Sequence, residues 1–122
     1  MNWLFVFLGG GIGSLLRFGI SQFLLNLKDK NIFPWATFIS NLLACLILAI
    51  ISFVYIEEKT IDSNWKLFWT VGLCGGFSTF STFSLENWEL YKSGSYGFLL
   101  ANILVSVFLG IMIFWLIDKK LT

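Results

Sequence analysis

The sequence predicts an all-α membrane protein of four spanning helices, and three observations carry that prediction. Apolar residues make up 57% of the 122-residue chain and charged residues only 12%, where a soluble domain carries about 25% charge. The apolar residues fall in four long blocks, roughly residues 3–27, 34–56, 67–91 and 95–117, each near or above the ~20 residues that cross a bilayer as helix. Trp3, Trp35, Trp65, Trp69, Trp88 and Trp115 all lie near a block boundary, as an interfacial aromatic belt requires. The whole of 1–122 therefore reads as a single four-helix transmembrane unit.

The first block lacks a basic leader and a small-residue cleavage site, and it carries Arg17 and a glycine cluster. It is expected to stay in the mature chain. Pro34 opens the second block, where a missing backbone N–H costs least. Lys28, Asp29 and Lys30 are expected to form the first loop, the run from Glu57 to Asn64 the second, and Lys92 to Gly94 the third. Such short connections make neighbouring helices antiparallel. Cys45 and Cys74 fall inside apolar blocks, where a thiol behaves as a small hydrophobe. With no histidine and no cysteine cluster, a zinc or redox centre is not expected. The net charge of +1 argues against nucleic acid as a partner. No nucleotide-binding motif or catalytic triad is present, so an enzyme is not expected.

Four spans place both ends on one side, with Lys59, Lys66, Lys119 and Lys120 there and Lys28, Lys30 and Lys92 opposite. Four against three is almost no positive-inside bias. Two readings follow: one weakly biased orientation, or insertion both ways with an antiparallel pair around a two-fold axis in the membrane plane. Four short helices enclose little space, so an oligomer is expected in either case.

Polar residues at membrane depth are expensive and face protein or water. Thr37 and Asn41 share a helix face, as do Asn102, Ser106 and Gly110, and again Gly9, Gly13, Arg17 and Ser21, each set at four-residue spacing. The plain reading of such stripes is helix–helix packing. Asn41 is the stronger functional candidate, because a mid-span carboxamide must satisfy both its ends; Arg17 either snorkels to an interface or sits in an aqueous vestibule, and the vestibule is the favoured expectation. In the third block, Gly72, Gly75 and Gly76 precede a run, FSTFSTFS, that repeats every three residues. Glycine lowers helix stability by about 1 kcal/mol relative to alanine. A helix interrupted near 75–79 releases backbone carbonyls, tolerable in lipid only when buried in protein or coordinating something. Near such a break Phe77, Phe80 and Phe83 are expected to stay aligned, with Ser78, Ser81 and Ser84 on one rail and Thr79 and Thr82 on another. Phenyl edges are positive. Together with neutral hydroxyl and amide donors they suit an anion that must be held and then released. The competing reading is that the rings pack and the hydroxyls bond back to their own helix.

The pattern resembles the Fluc/CrcB family of small fluoride channels. GLCGGFSTFSTFSLE, residues 72–86, carries the resemblance most specifically, with GGGIGSLLRF in the first block and ATFISNLLA in the second; it spans essentially the entire chain. The resemblance implies an antiparallel, dual-topology homodimer in a prokaryotic plasma membrane, with two fluoride pathways and a broken third helix. It also implies a structural sodium ion at the dimer centre, held by the backbone carbonyls of Gly75 and Ser78. By the same resemblance Asn41 is the pore asparagine, Phe80 and Phe83 the paired pore phenylalanines, and Arg17 the family arginine. Ser81 and Thr82 match the hydroxyls lining the path, and Asn102 and Ser106 the polar track of the last helix. Gly110 departs from the family, which often has a hydroxyl there. Another class, a proton-coupled exporter resembling the small multidrug transporters, needs a membrane-embedded carboxylate. The first, second and fourth blocks contain none, and Glu86 lies towards the end of the third.

Overall fold

The computed structural model describes residues 2–26, 33–56, 59 and 61–121, and those residues form helices and turns without strands. The first expected loop, with its lysines, lies outside the described residues, as do Glu57, Glu58 and Thr60. The helices are α1 (Asn2–Asn26), α2 (Trp35–Ile50), α3 (Ser63–Leu67), α4 (Gly75–Phe77), α5 (Phe80–Lys92) and α6 (Tyr96–Leu121). Wider π-helical turns, which close i→i+5 bonds, continue α2 over Ile51–Ile56 and join α3 to α4 over Phe68–Cys74. Among the described residues, three stretches are long and apolar enough to cross a membrane: Asn2–Leu24, Trp35–Tyr55 and Tyr96–Lys120. The remaining apolar block is assembled from α3, the π-helical turn, α4 and α5, with Ser78 and Thr79 between the last two.

Local chemistry explains the helix ends. Pro34 caps α2, its carbonyl accepting from Phe38 N at 3.1 Å, so its missing N–H costs no intrahelical bond. Thr79 caps α5, its hydroxyl oxygen accepting from Thr82 N at 3.2 Å, which satisfies one of the orphan donors of a first turn. At the other end of α5, Gly94 takes φ +79°. Ser95 N donates to Leu90 O at 2.9 Å and Gly94 N to Tyr91 O at 3.1 Å. That is the double closure of a Schellman turn, which needs a left-handed residue, and it reverses the chain into α6.

α1 packs along the stretch from Phe68 to Phe77, α2 packs on α6, and α5 leans on α6. Ala44, Leu73, Cys74 and Phe77 make the buried cluster, with Ile20, Ile47, Leu48, Phe68 and Trp69 around it. The seam between α1 and residues 68–77 is backbone against backbone. A methyl group on Gly9 would overlap the Phe68 carbonyl oxygen, one on Gly13 the Leu73 carbonyl, and one on Gly76 the Gly10 carbonyl. Small residues permit this approach where the solvent is lipid and hydrophobic burial between helices gives little. Aromatic contacts tie the bundle ends: Phe5 with Trp65 (5.1 Å between centroids), Phe33 with Phe98 (6.3 Å), and Phe53 with Phe114 (6.3 Å). Trp88 stacks on Tyr91 at 5.4 Å and Lys119 Nζ lies 4.8 Å over the Trp115 ring, the amphipathic contacts of a membrane interface.

Candidate functional site

The site grows from the two residues between α4 and α5. Ser78 (φ −89°, ψ 158°) and Thr79 (φ −152°, ψ 123°) are extended. The Ser78 amide still reaches back to Cys74 O at 3.0 Å, and its hydroxyl donates to the same oxygen at 2.8 Å. The next amide leaves the helical ladder: Thr79 N donates to Asn41 Oδ1 at 2.9 Å. In a continuing helix that amide would close onto Gly75 O, so the Gly75 carbonyl loses its usual donor. The Ser78 carbonyl loses Thr82 N, which turns to the Thr79 hydroxyl. Gly76 O instead accepts from Arg17 Nε at 3.1 Å. One arginine and one asparagine, from α1 and α2, thus supply bonds that a straight helix would have made for itself.

Beside this junction lies a cavity of about 140 Å³. Arg17 and Ser21 of α1, Thr37 and Ser40 of α2, and Thr82 and Glu86 of α5 line it, with Phe18 and Ala36 as apolar wall. A water takes about 30 Å³ in the liquid, so the space admits a small ion with some of its hydration. Thr37 Oγ1 donates to Glu86 Oε2 at 2.9 Å. Glu86 Oε1 and Ser40 Oγ are buried without a partner. Buried polar atoms are ordinarily satisfied, and these two mark the cavity as a place built for a polar guest.

The expected alignment of the phenylalanines does not hold for all three. Phe77, before the interruption, is 4% exposed and belongs to the core. Phe80, after it, is 80% exposed, and Phe83 is half-buried. The extended pair re-aims the chain between the first and second rings. Phe80 and Phe83 remain neighbours, their centroids 6.4 Å apart and tilted by 40°. The hydroxyl rails separate as well. Ser78 bonds back to its own helix and Thr79 caps α5, while Ser81, its hydroxyl 3.3 Å from that of Thr79, and Ser84 are exposed. Thr82 alone of the run reaches the cavity.

On α6, Asn102 is 1% exposed. Its Nδ2 donates to Asn87 Oδ1 at 2.7 Å, and its Oδ1 accepts from Ser106 Oγ at 3.2 Å. Gly110 faces Cys45, whose sulfur would stand 3.5 Å from a Cβ built there. Cys45 and Cys74 are both free thiols, and the described residues hold no cluster of metal-ligating side chains.

Four polar residues at these sites were not among those singled out from the sequence for the pathway: Ser21, which was read only as part of the α1 stripe, Ser40, Glu86 and Asn87. Ser40 stands three residues after Thr37, a spacing that shares a face and was a usable signal. Glu86 stood out only as a carboxylate for proton coupling. Asn87 carried no signal, because its partner is on another helix.

Fold and site together define the class: a small helical membrane protein with polar side chains from α1, α2 and α5 around a shared cavity. The family described as CrcB-like protein, Camphor Resistance (CrcB), matches residues 4–117, and the chain belongs to it. Among curated relatives, the "Fluoride-specific ion channel FluC" of Azobacteroides pseudotrichonymphae genomovar. CFP2 is 44% identical over 84% of this chain and 82% of its own length. The protein of the same name from Phocaeicola vulgatus is 42% identical over 89% and 88%. That from Coxiella burnetii (strain CbuK_Q154) is 38% identical over 95% and 94%.

Proposed function

We propose that this protein is a passive, fluoride-selective channel that lets the anion leave the cytoplasm. The observation that carries this reading is the junction at Asn41. The carboxamide oxygen is committed to Thr79 N, which fixes the group and leaves its two N–H donors for an anion. Relatives matched over most of their length bear the name of fluoride-specific channels, and that supports fluoride as the ion and a channel rather than an enzyme.

Arg17 draws the anion towards the cavity. Its Nε is anchored on Gly76 O, and the rest of its fork-shaped set of donors is thereby oriented. Thr37 and Thr82 line the cavity, and Ser81 offers an exposed hydroxyl on α5. The positive edges of Phe80 and Phe83 carry the ion onward, with Asn102 and Ser106 as the track on α6. Neutral donors replace hydration without the grip of a buried cation, so the ion is held and released. Hydrogen fluoride crosses membranes as the neutral acid and dissociates inside. The membrane potential then drives the trapped anion outward with no other energy source.

The working unit in this reading is an antiparallel, dual-topology homodimer with two pathways, in which α3 to α5 together make the fourth crossing and the extended pair is the family's break. Phe80, largely uncovered within one chain, supports a partner there. The Gly75 and Ser78 carbonyls fit the implied sodium site: both are hard oxygen donors whose usual amide partners are engaged elsewhere, as a hard cation prefers. A sodium ion held by these two carbonyls would supply the positive charge that their missing amide donors do not.

Reconstitution into liposomes, with fluoride and chloride electrodes side by side, tests the reading. Fluoride release with chloride retained is expected; loss of both ions, or of neither, would overturn it. Glu86, lining the cavity with one oxygen unpartnered, favours one second reading, a proton-coupled exporter. An imposed pH gradient that drives transport would establish that instead.

A further inference from the structure

Asn87 has no place in the pathway described so far, yet it controls one of its members. It is buried in α5, 9% exposed, and its Oδ1 accepts from Asn102 Nδ2 at 2.7 Å. Asn102 Oδ1 accepts in turn from Ser106 Oγ at 3.2 Å. The three side chains form one directed chain, each donating to the next, from Ser106 through Asn102 to Asn87. In this arrangement the single proton of Ser106 is spent within the chain and is not offered to an anion.

A carboxamide has a donor end and an acceptor end, and half a turn about its terminal bond exchanges them. Turning Asn102 alone would set its oxygen against the oxygen of Asn87, two acceptors facing each other at low dielectric. Turning both amides together reverses every bond: Asn87 donates to Asn102, Asn102 donates to Ser106, and the Ser106 proton is released. The orientation of Asn102 is therefore slaved to that of Asn87. We propose that Asn87 is a positioning residue for the anion track, setting which end of Asn102 faces Ser106 and so whether Ser106 can donate to a passing ion. The inference rests on the reading that Asn102 and Ser106 lie on the fluoride path.

An amide pair between two membrane helices also serves as simple glue, so the test must separate positioning from packing. The full-length protein carrying Asn87→Asp keeps an acceptor for Asn102 Nδ2, and with it the α5–α6 contact, but as the carboxylate, at a pH where it is ionised, has no donor with which to reverse the chain. Fluoride efflux from liposomes is expected to fall about tenfold, the equivalent of one hydrogen bond's net contribution to a barrier. Ser106→Ala is expected to slow efflux in the otherwise unchanged protein and to add nothing in the N87D background. Simple charge repulsion from the new carboxylate would leave the Ser106→Ala loss intact in both backgrounds, and that result, or wild-type efflux in N87D, would overturn the proposal. Asn87→Leu, which removes the partner altogether, is expected to slow efflux and to show no additivity with Asn102→Leu; additive losses would mean that the two act separately. If Asn102→Leu and Ser106→Ala alone leave efflux unchanged, the track itself is wrong and the proposal falls with its premise. If they slow efflux while the Asn87 variants do not, only the positioning role fails.

Discussion

The stripe of α1 that runs Gly9, Gly13, Arg17, Ser21 does two different things along its length. Its first half presses bare backbone against residues 68–77, with no room for a methyl group. Its second half stands back, and Arg17 and Ser21 line a cavity. Both halves have the same four-residue spacing, and Arg17 still reaches Gly76 of the same neighbouring segment, although α2 and α5 also wall the cavity. What differs is side-chain size. Glycine lets the helices touch, and the next two stripe positions prop them apart around a polar space. The close seam fixes the distance at which Arg17 can reach Gly76 O, so packing in one half sets the geometry of the other.

Filling the seam should have the largest effect. Gly13→Leu must displace the backbone of residues 73–77, and overpacking of this kind costs about 1–3 kcal/mol or more. We expect little folded protein, measured as the monodisperse fraction in detergent; a normal yield with normal efflux would mean that the two halves are independent. Asn41→Asp is the converse. It keeps an oxygen for Thr79 N but removes both N–H donors, so the protein should fold while fluoride efflux is abolished. Phe80→Ile changes a side chain that is 80% exposed within one chain. We expect slower efflux, since an aliphatic group has no positive edge; unaltered efflux would leave Phe80 as a packing residue only. Gly110→Ser should do least. Its Cβ would meet Cys45 Sγ at an ordinary 3.5 Å, so stability should hold within about 0.5 kcal/mol, in contrast to Gly13, and efflux should be equal or slightly faster. A strongly destabilised protein would show that the α6 stripe is packed as tightly as that of α1.

Much of this arrangement was legible in the sequence because membrane helices announce themselves by length. Three of the four apolar blocks hold helices long and apolar enough to cross a bilayer. In the third block, Ser78 and Thr79 take extended backbone angles. The direction in which each ring emerges was not legible. A three-residue beat describes a uniform winding, whereas the backbone passes from a π-helical turn to a short α-helix, to two extended residues and to α-helix again. That sequence of windings buries Phe77 and exposes Phe80. The cross-helix partnerships were hidden for a related reason. Asn87 with Asn102, Thr37 with Glu86 and Arg17 with Gly76 O depend on how separate helices rotate against each other, which spacing along one helix does not encode.

The π-helical turn at Phe68–Cys74 has a further consequence. Such winding holds a surplus residue relative to an α-helix, and here it buries Gly72, Leu73 and Cys74 in succession. Deleting one residue would let the segment relax to ordinary winding with little net rotation of what lies beyond, whereas straightening all seven residues to α winding would turn everything beyond by about 100°, the rotation of one α-helical residue. The winding of these seven positions therefore acts as a dial on which face of α5 meets α6, and a one-residue deletion there should be borne better than an insertion.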